Sequence, residues 1–120
     1  LKQSEEQLRL TLDFTGIGSW SWDLQTGQMT WNENHYRLMG LEPGSPVLEC
    51  EVWRDRIHPD DRAMVDGVFA QALATHTDCE VEYRVVYPDG SVHWVVDRGH
   101  PFYDEAGQPV RMLGVMIDIS

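Results

Sequence analysis

The stretch Val110-Arg111-Met112-Leu113-Gly114-Val115-Met116-Ile117-Asp118-Ile119 sets Val110, Met112 and Met116 on one face of a strand and Leu113, Val115 and Ile117 on the other. A strand that is apolar on both faces needs cover on both. It therefore belongs in the middle of a sheet, with helices packed on one side and the opening helix on the other. Everything upstream can be arranged around it.

Two hairpins supply the neighbours. In Ile17-Gly18-Ser19-Trp20-Ser21-Trp22-Asp23-Leu24 the large residues Trp20, Trp22 and Leu24 alternate with Ser19, Ser21 and Asp23, and Thr26-Gly27 turns the chain into a second short strand, Gln28 to Trp31. Glu80 to Tyr87 alternates in the same way, and Pro88-Asp89-Gly90 turns it into Val92 to Val96. Gly99 to Pro109 reads as a loop. Between the hairpins, Asn32 is a suitable N-cap for a short helix that Gly40 ends, and Leu41 to Cys50, with Pro43, Gly44 and Pro46, reads as a loop. A longer helix follows Ile57-His58-Pro59-Asp60-Asp61, with Val65, Phe69, Ala72 and His76 at helical spacing and Met64, Val68 and Leu73 widening the stripe. At the start of the chain, Ser4-Glu5-Glu6-Gln7 has the form of a capping box that opens a helix. The order is helix, two strands, helices, three strands, which is an α+β pattern.

Composition narrows the function classes. A chain of 120 residues holds one core, 42% hydrophobic and 24% charged residues suit an ordinary folded domain, and the net charge of −11 opposes phosphate backbones and anionic lipid. Nucleic-acid binding and direct membrane contact are not expected, and no apolar run reaches the ~20 residues that span a bilayer. Cys50 and Cys79 are the two cysteines, which fits a reducing, cytoplasmic setting. The chain begins at Leu1 and stops directly after an apolar strand, as a piece of something longer would.

Four segments in order carry a family resemblance: Gly18 to Gly27 with Trp31-Asn32, Ile57-His58-Pro59-Asp60-Asp61, Glu82-Tyr83-Arg84 through Asp89-Gly90 to Trp94, and Gly114 to Ser120. Together they resemble a PAS domain, of the subgroup that carries a His-Pro-Asp-Asp segment. The resemblance implies a five-stranded antiparallel sheet in spatial order 2-1-5-4-3, short helices over one face, and a pocket between sheet and helices. It implies residues 1–14 as an N-terminal helix or linker that pairs protomers, and 15–120 as one sensory domain from a longer bacterial signalling protein. Such domains are not usually enzymes. They dimerise and pass a cue to a covalently linked effector, a histidine kinase, diguanylate cyclase or phosphodiesterase, in a parent that can itself be membrane-anchored. The closing Asp118-Ile119-Ser120 resembles the family's Asp-Ile-Thr exit, which makes Asp118 the coupling candidate.

Several residues could carry chemistry. Trp20, Trp22, Tyr36, Trp53, Val65, Phe69, Tyr83, Trp94, Met112 and Met116 are the ligand-pocket candidates, against the plainer reading of the five tryptophans, Trp31 included, as core or interface. His58, Asp60 and Asp61 could be read as metal ligands, but capping and dipole complementarity explain them as a helix cap. His76, at the end of the long helix, is the haem candidate; helix-terminal placement also explains it without a cofactor. The Asn-Cys-Arg segment of the blue-light flavin members is absent, while noncovalent flavin remains compatible with stacking tryptophans. Cys50, between Glu49 and Glu51, and Cys79 read as ordinary thiols. Glu82 and Arg84 share one face as solvated or protomer-contact groups. The function expected is detection of an unknown small-molecule or redox cue, with a haem- or flavin-bound sensor and a ligand-free dimerisation module as alternatives. An enzyme built on His58, Asp60 and Asp61 or on Asp104-Glu105 lacks a nucleophile with a base at definable spacing.

Overall fold

In a computed structural model, which describes residues 15–120, the alternating tryptophans form β1 (Gly18–Asp23), joined to β2 (Gln28–Trp31) with Trp20 opposite Trp31. Asp23 Oδ1 accepts from the backbone of Gln25 and Thr26 in the turn, and Gly27 takes the positive φ that ends it. Helix α1 (Glu33–Leu38) starts at Asn32, whose Oδ1 accepts from His35 N at 2.9 Å and from Ser19 N at 3.0 Å, so one side chain caps the helix and ties it to β1.

The segment read as a loop, Leu41 to Cys50, holds one further element and the start of another. β3 (Val47–Glu49) pairs antiparallel with β2, and α2 (Cys50–Arg56) follows it directly. Three residues are too few to show a period. In α2 only Trp53 is buried, and Glu49 makes no side-chain cap, so neither sequence signal of a helix was present. A 3-10 turn (Pro59–Asp61) leads into α3 (Arg62–Thr75), which buries Val65, Phe69 and Ala72 and leaves Met64 exposed.

β4 (Cys79–Val86) and β5 (Val92–Tyr103) form the second hairpin, and β6 (Pro109–Asp118) closes the sheet. β5 is longer than its sequence suggested because it continues through Gly99 and Pro101 against β6. Beyond Gly99 it no longer pairs with β4, so Pro101 lies where the strand has become an edge and a missing N–H is tolerated. The order is β3-β2-β1-β6-β5-β4, with every pair antiparallel. β6 is central, as its two apolar faces require. The expected five-strand order is present within it, and β3 adds a sixth strand outside β2. Met112 and Met116 are fully buried on the helix side, while Leu113, Val115 and Ile117 are half-buried on the other. The helix expected from the Ser4 capping box lies outside the described residues. Among the described residues no helix is long and apolar enough to cross a membrane.

Candidate functional site: a sealed chamber between sheet and helices

Two glycines shape the interior. Gly99 on β5 and Gly114 on β6 are cross-strand partners, and Gly114 is also the partner of Trp20 on β1. With no side chain at 114, the Trp20 indole lies across β6 toward β5; a Cβ there would overlap the ring and the Arg98 carbonyl. Its N–H thereby reaches Asp97 Oδ1 at 2.6 Å. Asp97 Oδ2 accepts from the Tyr83 hydroxyl at 2.9 Å, which in turn accepts from Trp53 Nε1 at 2.9 Å. One chain of buried hydrogen bonds thus runs from β1 through β5 and β4 to α2.

Asp97 is 2% exposed, and burial pushes its carboxyl up to about 7, against the downward pull of the bonds from Tyr83 and Trp20. Burial, and then the neighbouring Asp97, raises the Tyr83 phenol well above its ordinary value. The opposite wall is α1. Gly18 lets that helix close on β1, since a Cβ at 18 would press on the His35 backbone. His35 is fully buried with its ring 4.2 Å from that of Trp31, and among the described residues neither ring nitrogen has a hydrogen-bond partner. Burial lowers its pKa to about 3, so the imidazole is neutral.

Trp20, Trp22, Met29, His35, Trp53, Phe69 and Asp97 line a chamber so closely packed that no water-sized space remains in it. Trp22, Trp53 and Phe69 separate it from an outer cleft lined also by Cys50, Arg54, Asp66, Ala70 and Leu73. Arg54 on α2 and Asp66 on α3 form an exposed ion pair at 2.5 Å beside that cleft. A wider depression on the outer sheet face, around Thr30, Leu113 and Val115, is apolar and carries no titratable group.

A family model described as PAS fold matches residues 28–116. The chain belongs to the PAS family. The sensory box histidine kinase/response regulator of Burkholderia thailandensis E264 superposes with a TM-score of 0.81 at 30% identity, covering 94% of this chain and 84% of that one. The N-terminal domain of a diguanylate cyclase with PAS/PAC sensor from Marinobacter aquaeolei gives 0.77 at 28% identity, over 87% and 95% of the two chains. Sensor protein FixL of Bradyrhizobium diazoefficiens is 26% identical over 115 residues, 96% of this chain and 23% of FixL. The chain spans less than a quarter of the length of the curated relatives it matches.

Within this PAS domain, Trp20, Trp22, Trp53 and Phe69 line the chamber, and Tyr83 touches it through Asp97. Tyr36, Val65, Met112 and Met116 are buried in the surrounding core. Trp94 is 45% exposed on the outer face, with the Arg84 guanidinium 5.5 Å from its ring centroid, so it is no part of the pocket. His58 does cap, its Nδ1 accepting from Asp60 N at 3.1 Å, and the Asp60 side chain is solvent-exposed. Asp61 does not cap: its oxygens take the Arg84 guanidinium at 2.6 and 3.0 Å and the Arg84 N–H at 2.8 Å, which pins α3 to β4. Arg84 is accordingly not a free surface charge, while Glu82 is exposed.

His76 takes a left-handed C-cap conformation (φ 57°) and stacks on Tyr103 at 3.7 Å, exposed and outside the chamber wall. The residues present do not fit haem, because the interior is filled by Trp20, Trp22, Trp53 and Phe69 and the candidate ligand lies outside it. A three-ring flavin meets the same obstruction. Burial raises both thiols, Cys50 to about 11, so neither is poised as a thiolate. Among the described residues no cluster of three or more His, Cys, Asp or Glu side chains could hold a metal. Asp118 is exposed at the end of β6, its Oδ1 accepting from Ser120 N at 2.8 Å. Ser120 and Ile119 fasten the chain to Trp94 through Trp94 N to Ser120 Oγ at 2.8 Å and Ile119 N to Trp94 O at 3.1 Å.

Asp97, His35, Gly18 and Gly99 were the residues that sequence reasoning missed, whereas the crowding at Gly114 follows from its place in the covered central strand. Asp97 shares strand parity with Val95, opposite Val81, so a carboxylate on the inward face of β5 was the available signal.

Proposed function

We propose that this PAS domain is a sensory relay that detects a small-molecule cue in the chamber and passes the change through β5 and the Asp118–Ser120 segment to a covalently linked effector. The carrying observation is the hydrogen-bond chain Trp20–Asp97–Tyr83–Trp53, which ties α2 to the strand whose residue Trp94 holds Ile119 and Ser120. A change at the chamber that shifts β5 would shift the point where the chain leaves the sheet. The domain itself performs no chemistry on this reading. Its parent is a cytoplasmic or membrane-anchored histidine kinase or diguanylate cyclase, working as a homodimer, in keeping with the names of its relatives.

A second reading, a ligand-free relay, is favoured by the lack of room for even a water molecule. Native mass spectrometry of the freshly purified protein separates the two: retained mass supports ligand sensing, and a bare protomer supports the relay. The relay itself is tested in the full-length parent. Asp118→Ala should leave the melting temperature unchanged and alter effector output; output equal to the parent's would remove Asp118 from the coupling path.

A further inference from the structure

Phe69 stands among three indoles. Trp53, Trp20 and Trp22 meet it edge-on, with centroids at 5.6, 6.0 and 6.5 Å and interplanar angles of 80–88°. Three polar atoms of the chamber wall, Trp22 Nε1 and both ring nitrogens of His35, are buried without a hydrogen-bond partner. Trp31 Nε1 is also unpartnered, but Trp31 is not part of the wall. A buried donor or acceptor left unpaired is a standing cost that folding alone does not require. The chamber beside them has no water-sized space.

The same Phe69 also lines the outer cleft, together with Trp22 and Trp53. If its ring turns into that cleft, chamber and cleft become continuous, with Trp22 and His35 on their common lining. We propose that chamber and cleft are one binding site gated by Phe69, and that its ligand is a single uncharged heteroaromatic ring with hydrogen-bonding atoms on its edge. This rests on the ligand-sensing reading above. One ring follows from the place Phe69 leaves among three indoles. Edge polarity follows from the unpaired atoms: the Trp22 indole needs an acceptor, and a neutral imidazole needs one donor and one acceptor. Neutrality follows from the surroundings: His35 is kept uncharged by burial, both Asp97 oxygens are already engaged, and the Arg54 and Asp66 charges at the cleft are paired with each other.

The test uses the whole 120-residue chain, labelled with nitrogen-15 and titrated with 2-pyridone, with toluene as the ring without polar edges. The Trp22 indole resonance is assigned with Trp22→Phe. The proposal expects saturable 2-pyridone binding that shifts this resonance, at least tenfold weaker binding to His35→Leu, and tighter binding to Phe69→Leu, in which the gate is smaller. Equal binding of toluene and 2-pyridone, unaffected by His35→Leu, overturns the ligand class and leaves ligand sensing intact. Unchanged affinity in Phe69→Leu overturns the gate. No binding of either ring overturns the whole inference, and retained mass in native spectrometry of the same preparation then shows that sensing survives with another ligand.

Discussion

The Trp20 indole on β1 donates to the Asp97 carboxylate on β5 at 2.6 Å, spanning the intervening strand β6. A carboxylate so deep in a core has consequences for the response to pH, and they run opposite to those of a surface ion pair.

Asp97 titrates at about 7 in the folded protein and in the ordinary carboxylate range when unfolded. Between those values the folded state holds a proton that the unfolded state has lost, so stability falls as pH rises from about 4 to 7. Asp97→Asn removes that slope. Melting temperatures of parent and variant from pH 4 to 8 should diverge in the variant's favour toward pH 8; parallel curves would show that Asp97 titrates normally.

Asp61 behaves in the other sense. The Arg84 guanidinium, through its hydrogen bonds, holds the carboxyl below the usual range, so its contribution is present at neutral pH and is lost as pH falls through the folded value. Asp61→Asn should cost about 1–2 kcal/mol at pH 7, allowing for solvent screening at the partly exposed Arg84. The difference from the parent should narrow at acid pH, below the reference carboxylate value. Urea denaturation at neutral and at acid pH measures it.

Gly114→Val places methyl groups where the Trp20 ring and the Arg98 carbonyl lie. The cost should be about 1–3 kcal/mol, with Trp20 moved off Asp97. A shifted Trp20 indole resonance and a lower urea midpoint are expected. A variant that melts with the parent would mean the glycine is not needed for the crossing.

His35→Leu replaces a buried, unpartnered imidazole by an apolar side chain of similar size. Stability should rise by about 1–3 kcal/mol. Denaturant titration at pH 7 reads it directly, and a loss of stability would mean that the ring nitrogens are satisfied in solution.

How far the sequence could be read depended on whether a residue's environment is set by its own strand or by elements far along the chain. The alternation of Trp20 and Trp22 with serines, and the two apolar faces around Met112 and Met116, are local patterns. They located β1 and the central strand correctly. β3 and α2 were invisible because three residues and one buried tryptophan carry no period, and the prolines nearby suggested a loop. Asp61 looked like a cap because caps are local, whereas its true partner, Arg84, is 23 residues away. Trp94 was placed in the pocket on residue type alone; its pairing with Arg84, already on the outward face, puts it outside. Asp97 and His35 were missed for a related reason, since a carboxylate and an imidazole read as surface groups until the opposing wall is known.

The crossing of β6 by Trp20 also bears on descent. Positions 20, 99 and 114 share one volume, filled by a single indole over two absent side chains. In lineages diverging from this one, they should therefore be replaced as a set: a smaller residue at 20 licenses a side chain at 114, and a side chain at 114 with tryptophan retained at 20 should be selected against.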